Sequence, residues 1–395
     1  MPNGNSHIEI KPYLLKLERF FLDYFLFDNK IRSFFGWSFI FWVLVLLFNP
    51  YYFADLQLVY TDHMRHEYVS WAFLQVGFKV FTVPLGEIAP GVVARNPHPT
   101  WEMVPSLYPL GMILYFLPFG ILSNLGVLPD VIVHKIMVLS FLFAAYLCVH
   151  HLTFDLHEDT GLFTRIIAPT VFYFSTVFWA LNGFYDVIPL LFVVLSIRRF
   201  KDGDFFKGVI FSTVAFFMHY RALMYSPLLL KGLLSLWMKK DDYSRVLVNR
   251  ALTAVSSLAL VLTIYTLSIS YRSLLSRPIP YGVGGWATSP VYLLNLGDVP
   301  LFMLFMILSI VAGSYLVGQG EFLSATIIFL IWVYLSLVFN WRIWHCLFFL
   351  PLAIMPVDES VREGVLLWLL FTMYYFNCLI DPLYVISLLV RMFSG

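Results

Sequence analysis

Apolar stretches alternate with short polar segments along most of the chain. A straight helix needs about 20 apolar residues to cross a bilayer, and several of these stretches are shorter than that. The pattern predicts an all-α polytopic membrane protein with about 11 to 12 hydrophobic segments, some of them short or re-entrant. The apolar runs lie near 34–53, 105–125, 129–150, 164–181, 184–199, 207–220, 222–238, 249–268, 299–318, 321–340, 343–356 and 364–380.

The amino-acid composition favours the same class of protein. Of the 395 residues, 60% are hydrophobic and 12% are charged, whereas soluble proteins carry roughly 25% charged residues. We therefore expect membrane lipids as partners, and no nucleic acid, because no basic patch with interleaved aromatic residues is visible. Neither a disulfide framework nor a metal site is predicted from the three cysteines, which lie in or beside apolar segments: Cys148, Cys346 and Cys378.

The distribution of positive charge predicts how the chain is oriented. Residues 1–33 carry an excess of lysine and arginine, which places this N-terminal, interfacial segment in the cytoplasm. Residues 34–395 then form one transmembrane domain, with 54–104 as the first outer loop and 269–298 as the second. The membrane would be the plasma membrane of a prokaryote or the endoplasmic reticulum of a eukaryote.

The first outer loop and the cytoplasmic basic segment near residue 199 lie on opposite sides of the membrane, so the chain must cross it an odd number of times between them. Four apolar runs lie in this part of the chain, so one of them does not cross. The run 105–125 is interrupted by Pro109, Pro118 and Gly120. We predict that this run is re-entrant, because irregular backbone at membrane depth is tolerated where it lines a cavity.

Titratable side chains concentrate in the first outer loop, and Asp62 is the leading catalytic candidate there. An acid beside a membrane cavity suits a general base that removes a proton from an acceptor hydroxyl. The alternative is a solvated residue that caps the following helix, with Glu67 nearby. Apolar residues recur at roughly helical spacing over 64–81, so we expect an amphipathic helix on the membrane surface.

Cationic residues follow Asp62 closely. Arg65 and His66 come three and four residues later, so a helix places them near the same side. One of them could hold a phosphate and the other orient a carboxylate, or both could contact lipid headgroups. For His63 we favour contact with lipid headgroups. Asp and His together are weak evidence for a metal site. We predict no metal ligands and leave a divalent-metal requirement open.

Three further polar positions interrupt apolar sequence. His219 and Arg221 lie between two short apolar runs and suit phosphate binding, with an interfacial anchor as the alternative. Arg342 and His345, flanked by tryptophans, suit a phosphate or a sugar, and an aromatic belt is equally consistent. Asp186 is an acid between two apolar runs and is read as a site residue. Together these groups indicate an outer-face cavity that opens towards lipid.

Several of these segments resemble the GT-C superfamily of integral-membrane glycosyltransferases, in particular those that use polyprenyl- or dolichyl-phosphate mannose. The resemblance covers roughly 34–356 and rests on the order and character of four elements. They are the acid-bearing segment 61–68 with 77–81 and 108–110, the segment 182–186, the segment 208–230 around His219-Tyr220-Arg221, and the segment 341–352. The first loop departs from many relatives, which have two adjacent acids there, because His63 follows Asp62.

The resemblance implies an enzyme that transfers a sugar, mannose first, from a polyprenyl-phosphate donor to a lipid, glycan or protein acceptor on the outer face. The resemblance implies that Asp62 is the general base and that Arg221, with Arg342 or His345, contacts the donor phosphate. The residues themselves add Glu67 and Asp186 as catalytic candidates, and Arg65, His66 and His219 as phosphate or sugar contacts. No cofactor is expected. The alternatives are another lipid-phosphate-dependent transferase or ligase, and a membrane transporter.

Overall fold

The computed structural model describes residues 30–49, 62–88, 105–106, 108–153, 168–238 and 243–275, and a few positions between 308 and 319. These residues form helices and no strand. The α-helices are α1 (Lys30–Phe48), α2 (Asp62–Val76), α3 (Leu85–Ile88), α4 (Leu110–Asn124), α5 (Asp130–Thr153), α6 (Ala168–Leu181), α7 (Val187–Lys201), α8 (Phe205–Met218), α9 (Ser226–Met238) and α10 (Tyr243–Leu275). Two 3₁₀ helices span Gly77–Phe81 and Tyr220–Tyr225.

Two helices of the described part are long and apolar enough to cross a membrane. They are Asp130–Leu152 within α5 and Ser244–Ser270 within α10. Shorter apolar helices of 10–17 residues include most of α1, α4, α6, α8 and α9. The predicted all-α fold is confirmed for the described residues, whereas the number of membrane crossings stays a prediction.

Helices α5 and α8 lie at the centre of the packing. Helix α5 contacts α1, α4, α6 and α7, and α8 contacts α4, α7, α9 and α10. The buried core is rich in aromatic side chains, which bury a large apolar area per residue. The largest buried side chains include Trp179, Tyr146, Tyr173, Tyr185, Phe116 and Phe141.

Helix α4 fits between α2 and α8 because two of its residues are glycines. A Cβ on Gly111 would lie 2.3 Å from the carbonyl oxygen of Phe217 in α8. A Cβ on Gly120 would lie 3.0 Å from the carbonyl oxygen of Glu67 in α2. Pro118 lies inside α4 without ending it. The run predicted to be re-entrant is therefore one helix of 15 residues, about 22 Å long and shorter than a bilayer core.

Helix α2 differs from the amphipathic surface helix expected from the sequence. All residues at 64–70 are buried, including Arg65 and Glu67. The reason is that α2 packs against α4, so its polar side chains face other helices. The regular helix ends at Val76, where Gly77 takes a φ of +58° and the chain continues as a 3₁₀ turn.

A tight turn joins α6 to α7. The N–H of Phe184 bonds the carbonyl of Trp179 at 3.0 Å, and the N–H of Gly183 bonds that of Ala180 at 3.0 Å. This pair of bonds is the Schellman arrangement, in which the residue after the helix adopts a left-handed conformation. Gly183 has a φ of +80° and satisfies that requirement. The turn places Asp186 at the N-cap position, directly before α7.

Candidate functional site

Asp186, His219 and Arg221 meet between the start of α7 and the end of α8. One carboxylate oxygen of Asp186, Oδ1, lies 3.1 Å from Nε2 of His219 and 3.3 Å from Nη1 of Arg221. The side chains of Asp186 and His219 are fully buried, and that of Arg221 is 7% exposed. A buried carboxylate is stable only when it is paired, and here two basic side chains supply the pairing.

The hydrogen bonds around His219 fix which ring nitrogen carries its proton. The backbone N–H of Arg221 donates to Nδ1 of His219 at 3.1 Å, so Nδ1 is an acceptor. Nε2 therefore carries the hydrogen and donates it to Asp186. Burial is the main cause that lowers the pKa of His219 to about 4, against the opposing effect of Asp186.

Tyr185 ties the same two helix ends together. Its hydroxyl donates to the carbonyl of Met218 at 2.7 Å, which satisfies a carbonyl at the C-terminus of α8. Burial raises the pKa of Tyr185, so the hydroxyl keeps its proton and remains a donor. Asp186 does not cap α7 with its side chain, because its carboxylate points to His219 and Arg221 instead.

Helix α2 brings a second histidine to this region. The ring of His66 lies 4.5 Å from that of Tyr108 and 4.9 Å from that of Tyr185, measured between centroids. Tyr108 in turn contacts His219, with a centroid separation of 5.5 Å. The guanidinium carbon of Arg65 lies 5.7 Å from the centroid of Tyr108. Aromatic rings therefore link the basic residues of α2 to the cluster at α7 and α8.

Five of the predicted site residues are brought together by the fold, although they come from three separate parts of the sequence. They are Arg65 and His66 of α2, Asp186 at the start of α7, and His219 and Arg221 after α8. The guanidinium groups of Arg65 and Arg221 can bind an anion here, because Arg matches the oxygens of a phosphate.

The remaining predicted residues lie elsewhere. Glu67 contacts His134 of α5, with 3.4 Å between Oε2 and Nε2. Asp62 is the first residue of α2, about one helical turn before Arg65 and His66. The side chain of Asp62 lies outside the described part of the chain, as do Arg342, His345 and the predicted second outer loop.

Three residues of this region were not selected from the sequence. Tyr108 and Tyr185 form the aromatic link, and His134 pairs with Glu67. Tyr185 directly precedes Asp186 and Tyr108 directly precedes Pro109, so adjacency to these residues is the only signal of either tyrosine in the sequence. His134 lies in a long apolar run, where a polar side chain is itself a signal in the sequence. The described residues contain no group of three metal-ligating side chains.

Comparisons with protein-family models, curated proteins and solved structures found no match to this chain.

Proposed function

We propose that the chain is a multi-pass membrane glycosyltransferase of the GT-C type. It transfers a sugar, mannose first, from a polyprenyl-phosphate donor to a lipid, glycan or protein acceptor. The observation that supports this proposal is the convergence of Arg65 and His66 with Asp186, His219 and Arg221. This cluster of basic groups lies near the start of α2. It would therefore bind the phosphate leaving group close to the acid Asp62.

The roles follow from the chemistry of each side chain. Asp62 takes the proton from the acceptor hydroxyl as the acceptor oxygen forms a bond to the anomeric carbon. The bond from that carbon to the phosphate oxygen breaks, and polyprenyl phosphate departs. Arg221 and Arg65 stabilise the charge that develops on the phosphate, and fixed cations in a water-poor site lower such a barrier strongly. Asp186 and His219 hold Arg221 in place.

A transfer assay tests the proposal. The purified chain in lipid nanodiscs is incubated with radiolabelled polyprenyl-phosphate mannose or glucose and a membrane lipid extract as acceptor. Wild type is compared with Asp62→Asn. The control is Asp202→Asn, which makes the same change at an acid whose side chain is 41% exposed. A parallel reaction with EDTA tests the divalent-metal requirement.

We expect label in a new product with wild type and Asp202→Asn, and a loss of at least about a hundredfold with Asp62→Asn. Equal transfer by wild type and Asp62→Asn would remove Asp62 from the mechanism. If no donor yields a product and liposomes containing the chain show substrate flux instead, the chain is a transporter and the proposal fails.

A further inference from the structure

A cavity of about 620 Å³ lies at the far end of α7 and α8 from the cluster described above. The cluster is at the start of α7, whereas the cavity adjoins Gly203 and Asp204, just past the end of this 15-residue helix. About 22 Å of helix therefore separates the two places. A volume of this size is typical of a site for a small ligand.

The walls of the cavity come from three helices and are largely apolar. They include Phe205 and Phe206 of α8, Leu236 of α9 and Val248 of α10. Beside these residues, Trp237 of α9 and Leu247 of α10 are exposed. The cavity therefore adjoins an apolar surface that suits the acyl chains of a lipid.

Asn249 contributes a buried polar group to the lining. The residue is only 7% exposed, and within the described part of the chain its side-chain amide makes no hydrogen bond. A buried amide without a partner costs free energy, so such groups are usually satisfied by a ligand or by water. This amide can donate to the oxygen of an anion.

Arg245 contributes the positive charge. Asp204 also lines the cavity, but its Oδ2 lies 2.9 Å from Nζ of Lys207, so that carboxylate already has a cation. Arg245 is exposed in the first turn of α10 and has no ion-pair partner among the residues that the structure describes. The start of a helix also favours an anion, because its first N–H groups point outwards.

The surroundings of the cavity are predominantly basic and lie where a membrane helix begins. Helix α10 is long and apolar enough to cross a membrane from Ser244 onwards. Basic residues near the cavity attract the anionic surface of a membrane. Among the described side chains at this end, five are basic and two are acidic: Arg198, Arg199, Lys207, Arg245 and Arg250, with Asp202 and Asp204.

We propose that this cavity binds the headgroup phosphate of an anionic phospholipid. Arg245 and the side-chain amide of Asn249 contact the phosphate, and the acyl chains lie along the apolar surface of α9 and α10. This inference rests on the membrane position of the proposed function but not on sugar transfer. The bound lipid is a ligand at the other end of α7 and α8 and takes no part in the reaction at the cluster.

A binding titration of the full chain tests the inference. The chain is purified in detergent, freed of lipid and titrated with dioleoyl phosphatidylglycerol, and native mass spectrometry measures the bound fraction. Two further probes separate the parts of the ligand. Dioleoylglycerol has the same acyl chains without a phosphate, and glycerol 3-phosphate has the phosphate without acyl chains.

Three variants change the cavity in different ways. Arg245→Gln removes the charge, Asn249→Leu removes the amide, and Ser235→Phe adds a ring at the wall without changing any charge. The matched control is Arg250→Gln, because Arg250 is an exposed arginine of the same helix that lies over Trp237 and does not line the cavity. Thermal midpoints of the lipid-free proteins show whether each variant is folded, and Ser235→Phe decides the test if a polar variant is not.

We expect wild type and Arg250→Gln to bind the first phosphatidylglycerol with the same Kd within about twofold. Arg245→Gln and Ser235→Phe should bind it about tenfold more weakly, and Asn249→Leu about threefold more weakly, as for the loss of a charged and a neutral hydrogen bond. Both partial probes should bind wild type at least about tenfold more weakly than the lipid does.

Two kinds of result would overturn the inference. Equal Kd values for wild type, Arg245→Gln and Ser235→Phe would place the lipid elsewhere. Dioleoylglycerol that binds as tightly as phosphatidylglycerol would exclude recognition of the phosphate, and glycerol 3-phosphate that binds as tightly would assign the cavity to a soluble phosphate.

The membrane position is tested separately, by washing membranes that contain the expressed chain with alkaline carbonate. Release of the chain into the wash would contradict the proposed function as well. A chain that stays in the membrane, but whose phosphatidylglycerol binding does not depend on Arg245 or Ser235, would contradict the lipid site alone. Lipid binding as expected without any sugar transfer would leave the site in place and remove the transferase.

Discussion

Nε2 of His219 lies 3.1 Å from Oδ1 of Asp186, and both side chains are fully buried. The acid is at the start of α7 and the histidine directly follows α8, so this one hydrogen bond connects two helix ends. Arg221 adds a charged partner to the same carboxylate oxygen. A carboxylate that pairs with two basic side chains in this way has a structural role. We therefore assign Asp186 to the stability of the fold rather than to general-base catalysis.

Asp186→Asn should therefore destabilise the protein. The amide cannot neutralise Arg221, whose side chain is 7% exposed. We expect the free energy of unfolding to fall by about 3 kcal/mol, as when one member of a buried ion pair is removed. Equilibrium unfolding in mixed micelles measures this change.

The matched control for Asp186→Asn is Asp202→Asn. Asp202 pairs with Arg199 at 3.7 Å, and the two side chains are 41% and 35% exposed. An exposed pair contributes less than about 1 kcal/mol, so the control should unfold nearly as wild type does. Equal effects of the two substitutions would show that Asp186 is not paired as the structure has it.

Acid should weaken the fold through His219. Its pKa in the folded protein is about 4, below the ordinary value of 6.5, chiefly because the ring is buried. The unfolded chain therefore binds more protons below pH 6.5, and the stability contributed by the neutral imidazole is lost as the pH falls from 6.5 through 4. Thermal midpoints in detergent at pH 7.5, 6, 5 and 4 measure this loss.

His219→Gln provides the comparison, because glutamine keeps a hydrogen-bond donor but does not titrate. The variant should lose less thermal stability than wild type between pH 6.5 and 4. Parallel losses in the two proteins would assign the acid sensitivity to other groups.

The sequence predicts the helical class and five of the residues that the fold brings together, but not the way α2 is packed. Asp186 and Arg221 are predicted as site residues because they lie between apolar runs, and Arg65 and His66 because helical spacing places them near Asp62. The burial of α2 could not be predicted, since charged residues beside an apolar face ordinarily indicate a surface helix. Tertiary packing determines which helix α2 contacts, and the local sequence pattern holds no information about that packing.

The contacts missed from the sequence are those between distant residues. Glu67 and His134 are 67 positions apart, and their pairing depends on how α2 and α5 are arranged. The role of Gly111 likewise depends on Phe217, which lies in another helix. Gly120 predicts an interruption of its apolar run, whereas in the structure it permits close packing of α4 on α2.

Gly111→Ala tests that role. The new methyl group would lie 2.3 Å from the backbone oxygen of Phe217, so α4 and α8 must separate. We expect a loss of about 1 to 3 kcal/mol in unfolding free energy, as for other overpacked interiors. Transfer activity should fall as well, because α4 connects α2 to the helix that precedes His219.

Gly208→Ala is the control for Gly111→Ala. A Cβ at Gly208 would come within 2.8 Å of the ring of Phe200, which is a side chain and not backbone. This substitution should be tolerated better than Gly111→Ala in thermal unfolding. The opposite order would mean that backbone contact with Phe217 does not limit the approach of α4.

Arg221→Lys separates the charge of this residue from its shape. Lysine keeps the positive charge but loses the planar fork that binds two oxygens of a phosphate and pairs with Asp186. We expect kcat/KM for polyprenyl-phosphate mannose to fall about tenfold with lysine and a further tenfold with Arg221→Gln, since a charged hydrogen bond contributes about 1.5 to 3 kcal/mol.

Arg250→Lys is the control, because Arg250 lies 5.4 Å over Trp237 and is exposed on α10. Equal kcat/KM for wild type and Arg221→Gln would exclude Arg221 from the donor site.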